Sequence, residues 1–134
     1  VIRAFPTAFL CASLLTACAS LAPDKADSEP AGIEIDGIVI HNELAFPVTD
    51  VMIEVPATGA FAGCGNILPR SACSTKFEAL IYSANPMRVR WKEYGKPHQT
   101  DDFVLQPPQT SAAGTFRVEV RIYAMGQAGA ALIE

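Results

Sequence analysis

A strict alternation of apolar and charged side chains near the C-terminus constrains the fold most strongly. From Phe116 to Ile122, every even-numbered residue is apolar and every odd-numbered residue is charged. The same period of two recurs in Met87–Lys92 and, less strictly, in Val51–Val55. Successive side chains of a strand point to opposite faces, so the pattern predicts strands with one buried and one wet face, as in antiparallel sheets. No stretch after residue 31 has the period of an amphipathic helix.

The first predicted strand, residues 33–42, changes phase in its middle. Ile33 and Ile35 alternate with acidic residues, but three consecutive apolar residues follow Gly37. A glycine at a change of phase predicts a β-bulge or a strand crossing between two sheets. A strand buried on both faces is the alternative.

Turn signals separate these segments at short intervals, which favours seven or eight strands in one antiparallel β-sandwich, an all-β fold, over residues 32–134. The turn signals are Phe46-Pro47, Ala57-Thr58-Gly59, Leu68-Pro69-Arg70-Ser71, Asn85-Pro86, Tyr94-Gly95-Lys96-Pro97 and Gly126-Gln127-Ala128-Gly129, the last followed by a weak strand at Ala130 to Ile133.

The order of elements resembles the immunoglobulin-like or fibronectin-like modules of exported bacterial proteins. The resemblance rests on a strand ending in His41-Asn42, a short turn, the strand Val48–Val55, and a later buried Trp91 followed by a hairpin. It implies a β-sandwich. In antibody domains a cysteine lies on either side of the tryptophan, whereas Cys64 and Cys73 both precede Trp91 in this chain.

The N-terminus follows the order of an export signal. Arg3 precedes the apolar run Ala4–Ala17, whose roughly 14 residues fall short of the about 20 needed to cross a bilayer. The run ends in Leu15-Thr16-Ala17-Cys18, which resembles a bacterial lipobox. The resemblance implies lipidation of Cys18 and, because Ala19 and not aspartate follows it, sorting to the outer membrane facing the periplasm. An ordinary cleaved signal and a core helix are the alternatives.

The predicted organisation is therefore a lipoprotein signal peptide at residues 1–17, a lipidated cysteine and flexible tether at 18–31, and a β-sandwich domain at 32–134. The segment 19–31 contains two prolines and several acidic residues without an apolar face, which is typical of a tether. The net charge is −4, and loss of Arg3 would make it −5. This balance argues against nucleic-acid binding by bulk charge.

The four cysteines divide according to this organisation. Cys11 would leave with the signal and Cys18 would carry the lipid, so Cys64 and Cys73 remain. In an oxidising envelope this pair is predicted to form one disulfide. Since both cysteines precede the tryptophan, we expect a local clip on one loop or hairpin rather than a staple across two sheets. A redox or metal role has little support, because the spacing is not Cys-x-x-Cys.

No enzyme signature is recognisable. Gly63-Cys64-Gly65 superficially suggests a nucleophile turn, but a paired cysteine cannot attack a substrate, and glycines beside a disulfide serve its geometry. Asp101-Asp102 is the one adjacent acidic pair. Its members would point to opposite faces of a strand, so a shared calcium or acid–base site would need a bend.

A soft copper site is the weak alternative to a purely structural role for the imidazoles and thioethers, which suit Cu(I). The residues concerned are His41, His98, Met52, Met87 and Met125. Methionine readily fills core gaps, and no closely spaced cluster of these residues occurs, so core or surface roles are expected.

The best candidate interaction face is a pair of basic rows on exposed strand faces. Its members are Arg88, Arg90, Lys92, Arg117 and Arg121. If the two rows lie close together, they form a basic stripe that could dock an acidic partner or a glycan. The alternative is an ordinary solvated face crossed by ion pairs with Glu54, Glu78 or Glu119.

These features predict a lipid-anchored, non-enzymatic binding or assembly-accessory module of the cell envelope. It would need no cofactor, bind no nucleic acid, reach the membrane through the lipid on Cys18 and bind an envelope protein. The alternatives are a periplasmic copper-handling protein and, with less support, a cell-wall hydrolase, for which no nucleophile and base can be named.

Overall fold

The computed structural model describes residues 32–107 and 114–134. Eight strands lie in these ranges: β1 Ile33–Asn42, β2 Val48–Val55, β3 Ala60–Ile67, β4 Ser71–Tyr82, β5 Arg88–Glu93, β6 Lys96–Gln99, β7 Thr115–Ala124 and β8 Gln127–Ile133. The signal peptide, Cys18 and tether predicted within residues 1–31 lie outside the described residues. Within the two described ranges, no helix has the length and apolarity needed to span a membrane.

The strands form two four-stranded sheets that pack face to face as a β-sandwich. The first sheet has the order β4-β1-β7-β8 and the second the order β3-β2-β5-β6. The predicted all-β sandwich of seven or eight strands is thereby confirmed. The immunoglobulin-like type is not confirmed, because the order differs from the ABED and CFG sheets of antibody domains.

One strand pairing departs from the predicted antiparallel arrangement. Strand β1 lies between β4 and β7; it is antiparallel to β4 but parallel to β7. All other pairings between the named strands are antiparallel. Parallel neighbours need a long crossover, and the intervening strands β2 to β6 supply it.

The core lies between the sheets and is built by the alternating positions. Val118, Val120 and Ile122 of β7 and Val89 and Trp91 of β5 are buried in one cluster. Their charged neighbours in sequence point outward. The one-face-buried interpretation of these strands is therefore confirmed, and burial of each large apolar side chain contributes about 1.5 to 3 kcal/mol.

The predicted bulge at Gly37 is present. The register of β1 shifts between Ile35 and Gly37 against both neighbouring strands, which brings Ile35 and Ile38 onto the same buried face. A Cβ atom at position 37 would lie 2.8 Å from the carbonyl oxygen of Thr75, so only glycine fits without a backbone shift. Because β1 stays in one sheet along its length, the alternative of a strand crossing between sheets is wrong.

Two hairpins close with two-residue turns. Tyr94 and Gly95 join β5 to β6 with φ of 49° and 76°, the double positive φ of a type I′ turn; this confirms the predicted hairpin. Met125 and Gly126 join β7 to β8. Strand β8 therefore begins at Gln127, three residues before the predicted start at Ala130, because this turn needs only two residues.

The predicted disulfide between Cys64 and Cys73 is present, with Cα atoms 6.1 Å apart. The expectation that it clips one loop or hairpin is wrong. Cys64 lies on β3 of the second sheet and Cys73 on β4 of the first. The chain changes sheet at Leu68–Arg70, so a bond that is local in sequence joins the edge strands of the two sheets.

Replacing this pair in the variant Cys64→Ser/Cys73→Ser is expected to lower the free energy of unfolding by about 2 to 3 kcal/mol, since a crosslink closing a loop of about ten residues restricts the unfolded chain. Urea unfolding followed by fluorescence of the single tryptophan would measure it. Reduction of the native chain with a phosphine should give the same midpoint as the double variant. An unchanged midpoint in both cases would contradict a stabilising role.

Candidate functional site

An open cleft lies between the edge strands β3 and β4 and is here called the β3–β4 cleft. Its volume is about 370 Å³. The floor is formed by core side chains, and the mouth by apolar side chains of the two edge strands. The floor residues are Ile35, Ile38, Ile53, Met87 and Val118, and the mouth residues are Phe61, Phe77, Leu80 and Ile81.

The cleft lies beside the disulfide that joins the two edge strands. Two residues that line the cleft lie close to the crosslinked cysteines. Gly63 directly precedes Cys64 on β3, and Thr75 lies two residues after Cys73 on β4. Further along β4 the pairing with β1 is irregular. Between the pairs Ile35↔Leu80 and Gly37↔Lys76, β4 has three residues, 77 to 79, whereas β1 has one, Asp36. This irregularity therefore lies in β4, one of the two strands that border the cleft.

The chemistry of the cleft is apolar. None of the described residues that line it is charged. The hydroxyl of Tyr82 donates to the carbonyl oxygen of Asn85 at 2.6 Å and accepts from the backbone N–H of Leu105 at 3.2 Å. The Thr58 hydroxyl contacts backbone atoms of its own turn. Thr75 and Asn85 are the other polar residues of the lining, so the surface offered to a ligand is mainly, though not entirely, hydrocarbon.

The basic rows do not form one stripe. Arg88, Arg90 and Lys92 lie on β5 of the second sheet, whereas Arg117 and Arg121 lie on β7 of the first. Side chains that point away from the core on these two strands face opposite sides of the sandwich. The expectation that the two rows lie close together is therefore wrong, because alternation within a strand does not determine its sheet.

Acidic partners neutralise much of each row. Glu54 binds both Arg88 and Arg90, and Lys92 Nζ lies 2.8 Å from Asp50 Oδ2. The hydrogen bond from Arg88 holds the pKa of Glu54 below its ordinary value, against the opposing effect of desolvation. These contacts agree with the alternative interpretation of this row, a solvated strand face crossed by ion pairs, with Glu54 as an acidic partner.

The other row has a similar arrangement on β7. Arg121 binds Glu43 at 2.7 Å and Glu119 at 2.6 Å. These two hydrogen bonds, Glu43 first, raise the pKa of Arg121. Glu119 also lies 3.2 Å from His41 Nε2. Both rows are thus parts of mixed-charge faces, with ion pairs at Arg88, Arg90, Lys92 and Arg121.

Of the residues considered for copper, two, Met52 and His98, share a concavity, and the others lie apart. His41 lies on the first sheet and His98 on the second; Met87 is buried and Met125 is exposed. Met52 and His98 line a second concavity of about 500 Å³, but Arg90, Lys92 and Asp50 line it too. Asp50 pairs with Lys92, so the charge of Arg90 is left in excess and disfavours a cation. Among the described residues, no group of three or more His, Cys, Asp or Glu side chains could hold a metal ion.

Asp101 and Asp102 are exposed and outside the named strands.

A buried carboxylate, which the sequence analysis missed, lies at the opposite edge of the sandwich. Glu93 is 2% exposed, and its Oε1 accepts hydrogen bonds from Trp91 Nε1 at 2.9 Å and from the backbone N–H of Gly126 at 2.8 Å. Its Oε2 lies 3.5 Å from His98 Nε2. Glu93 follows Val89 and Trp91 at the same two-residue spacing, so it lies on the same buried face of β5. This spacing is the sequence signal that could have identified Glu93 as buried.

A buried amide, also missed, ties two loops together. Asn42 is 1% exposed. Its Nδ2 donates to the carbonyl oxygens of Phe46, Ile67 and Leu68, and its Oδ1 accepts from the backbone N–H of Leu44. The residue therefore connects the β1–β2 loop with the β3–β4 corner, at the end of the sandwich where the chain changes sheet twice.

Comparison with known proteins adds little to this picture. No protein-family model matches the chain, and no curated protein shows significant sequence similarity to it. Among solved structures, the chain is similar to the NMR structure of a protein from Eubacterium rectale, with a TM-score of 0.43 and 11% identity over 81% of this chain and 92% of that chain. A structural similarity this low supports no conclusion about fold type or function.

Proposed function

We propose that this chain is a lipid-anchored, non-enzymatic binding module of the cell envelope, held at the outer membrane through Cys18 and facing the periplasm. The observation that carries the binding role is the β3–β4 cleft, an opening into the core whose described lining is uncharged. Catalysis of acid–base or nucleophilic type needs polar groups at the reacting atoms. A mainly apolar cleft with a few polar groups suits binding instead.

The anchoring role rests on the lipobox resemblance and is supported by the oxidised cysteine pair. A disulfide between Cys64 and Cys73 suits a chain exported to an oxidising compartment. Two or more acyl chains on Cys18 would give stable membrane residence, because one chain alone binds only marginally.

Expression of the native chain and of Cys18→Ser in a bacterium that processes lipoproteins would test the anchor. We expect the native chain in the membrane fraction, beginning at Cys18 and carrying the added mass of its acyl chains. Cys18→Ser should carry no acyl mass and leave the membrane fraction. Intact-mass analysis of extracted protein measures the N-terminus and the lipid together.

The matched control is Cys11→Ser, which removes a cysteine from the same N-terminal region but leaves the lipobox unchanged. It should be processed and acylated like the native chain. A native N-terminus at another residue, or equal masses for native and Cys18→Ser chains after processing, would refute the anchor.

A further inference from the structure

We propose that the β3–β4 cleft binds one acyl chain of a phospholipid taken from the membrane to which the protein is anchored. This inference rests on the proposed binding role of the cleft and adds the class of ligand and its source. It would make the domain a lipid-binding module whose membrane anchor keeps it beside its ligand.

The lining determines the class of ligand. A charged group would lose its hydration in the cleft without gaining a charged partner, because no described lining residue is charged, and the hydroxyls of Thr58 and Tyr82 already have partners. Such burial of an unpaired polar group is costly. A hydrocarbon chain loses nothing polar and removes apolar surface from water. The cleft volume of about 370 Å³ falls in the range of small-ligand sites.

The mouth shows where the rest of the lipid would lie. Phe61, Leu80 and Ile81 are 74%, 56% and 65% exposed, although they surround an opening that leads to the core. Clustered exposed apolar side chains of this kind mark a binding surface. A single acyl chain would cover them where it enters, and the polar headgroup would stay outside in water.

The position of the mouth indicates that the bound lipid comes from the membrane that holds the anchor. Strand β1 begins beside it, since Ile33 pairs with Tyr82 and Glu34 with Ile81. The chain that leads back towards Cys18 therefore departs from the domain at the mouth of the cleft. Thirteen residues lie between Cys18 and Gly32, and the segment from Cys18 to Gly32 spans at most about 50 Å. A membrane anchor at Cys18 holds the mouth within that distance of the bilayer.

The test uses the full chain carrying Cys18→Ser, purified without detergent, so that no acyl chain of its own occupies the cleft. The probe is a phospholipid with one pyrene-labelled acyl chain, supplied in vesicles of phosphatidylethanolamine and phosphatidylglycerol. We expect saturable transfer of one labelled lipid to each protein molecule, measured by pyrene fluorescence in the vesicle-free fraction and by native mass spectrometry.

Two further variants make the test specific to the cleft. Leu80→Asp places a carboxylate at the mouth and should weaken lipid binding at least tenfold. Leu68→Asp makes the same chemical change at a leucine that is 70% exposed and does not line the cleft, so its binding should be unchanged. Equal urea midpoints of the two variants would show that the difference in binding is not a difference in folding.

Three outcomes would overturn the proposal. They are the absence of saturable transfer both in the full Cys18→Ser chain and in the same chain without residues 1–17, equal loss of binding in Leu80→Asp and Leu68→Asp, and a lipid-free dimer that Leu80→Asp dissociates. The third would place a second copy at the cleft. Because Cys18 is substituted throughout, none of these outcomes bears on whether the native chain is acylated.

Discussion

Asn42→Ala is expected to destabilise the domain by about 3 to 4 kcal/mol. The substitution removes four hydrogen bonds made by one buried side chain. It leaves three carbonyl oxygens and the N–H of Leu44 without that partner, and each buried polar group left unsatisfied costs about 1 to 3 kcal/mol. Local relaxation and water entry reduce the sum. Urea unfolding monitored by fluorescence of Trp91 would give the change.

The variant Asn42→Asp separates hydrogen bonding from packing. It keeps the volume of the side chain but replaces the donating amide with an oxygen that faces the carbonyls of Phe46, Ile67 and Leu68. We expect it to be at least as destabilising as Asn42→Ala. The control is Asn66→Ala, at an exposed asparagine of β3, which should stay within about 0.5 kcal/mol of the native chain. If Asn42→Ala also stays within that margin, the loop connection is not stabilising.

Glu93→Ala is expected to cost about 3 kcal/mol. Glu93 Oε1 accepts from both Trp91 and Gly126, and a hydrogen bond to a charged group contributes about 1.5 to 3 kcal/mol. Without the carboxylate, the buried indole N–H and the turn N–H lose their acceptor, and the β5–β6 and β7–β8 hairpins lose their link. Thermal and urea unfolding would both report the loss.

Glu93→Gln tests which property of the side chain matters. Its amide oxygen can still accept from Trp91 and Gly126, so at least half of the lost stability should return, whereas the interaction with His98 changes. Glu78→Ala, at an exposed glutamate of β4, is the matched control and should have almost no effect. Equal destabilisation by Glu93→Gln and Glu93→Ala would instead assign the effect to the charge.

Alternation along single strands was enough to predict the all-β sandwich and much of its core. The buried and exposed faces of β5 and β7 follow from Phe116–Ile122 and Met87–Lys92, because period two is a property of one strand. The bulge at Gly37 was predictable from a break in that period. A second bulge was not recognised: Asp50 has a φ of 51°, which allows both Val48 and Val51 to be buried.

Features that depend on which strands become neighbours could not be predicted. Alternation does not reveal that β1 pairs with β7, that the two basic rows lie on different sheets, or that Cys64 and Cys73 join two sheets. The β3–β4 cleft is of the same kind, because it arises where two edge strands fail to meet. Glu93 differs, since its buried phase was visible and a charged residue in a buried phase indicates a specific partner.

The central position of β1 has a mechanical consequence for any chain attached to its N-terminus. A pull on the segment before Gly32 acts on a strand that is hydrogen-bonded on one side to β4 and on the other to β7. An edge strand can be peeled from a single ladder, but β1 can leave only by breaking two ladders together. A domain tethered through this strand would therefore resist a pulling force with the hydrogen bonds of both ladders along β1.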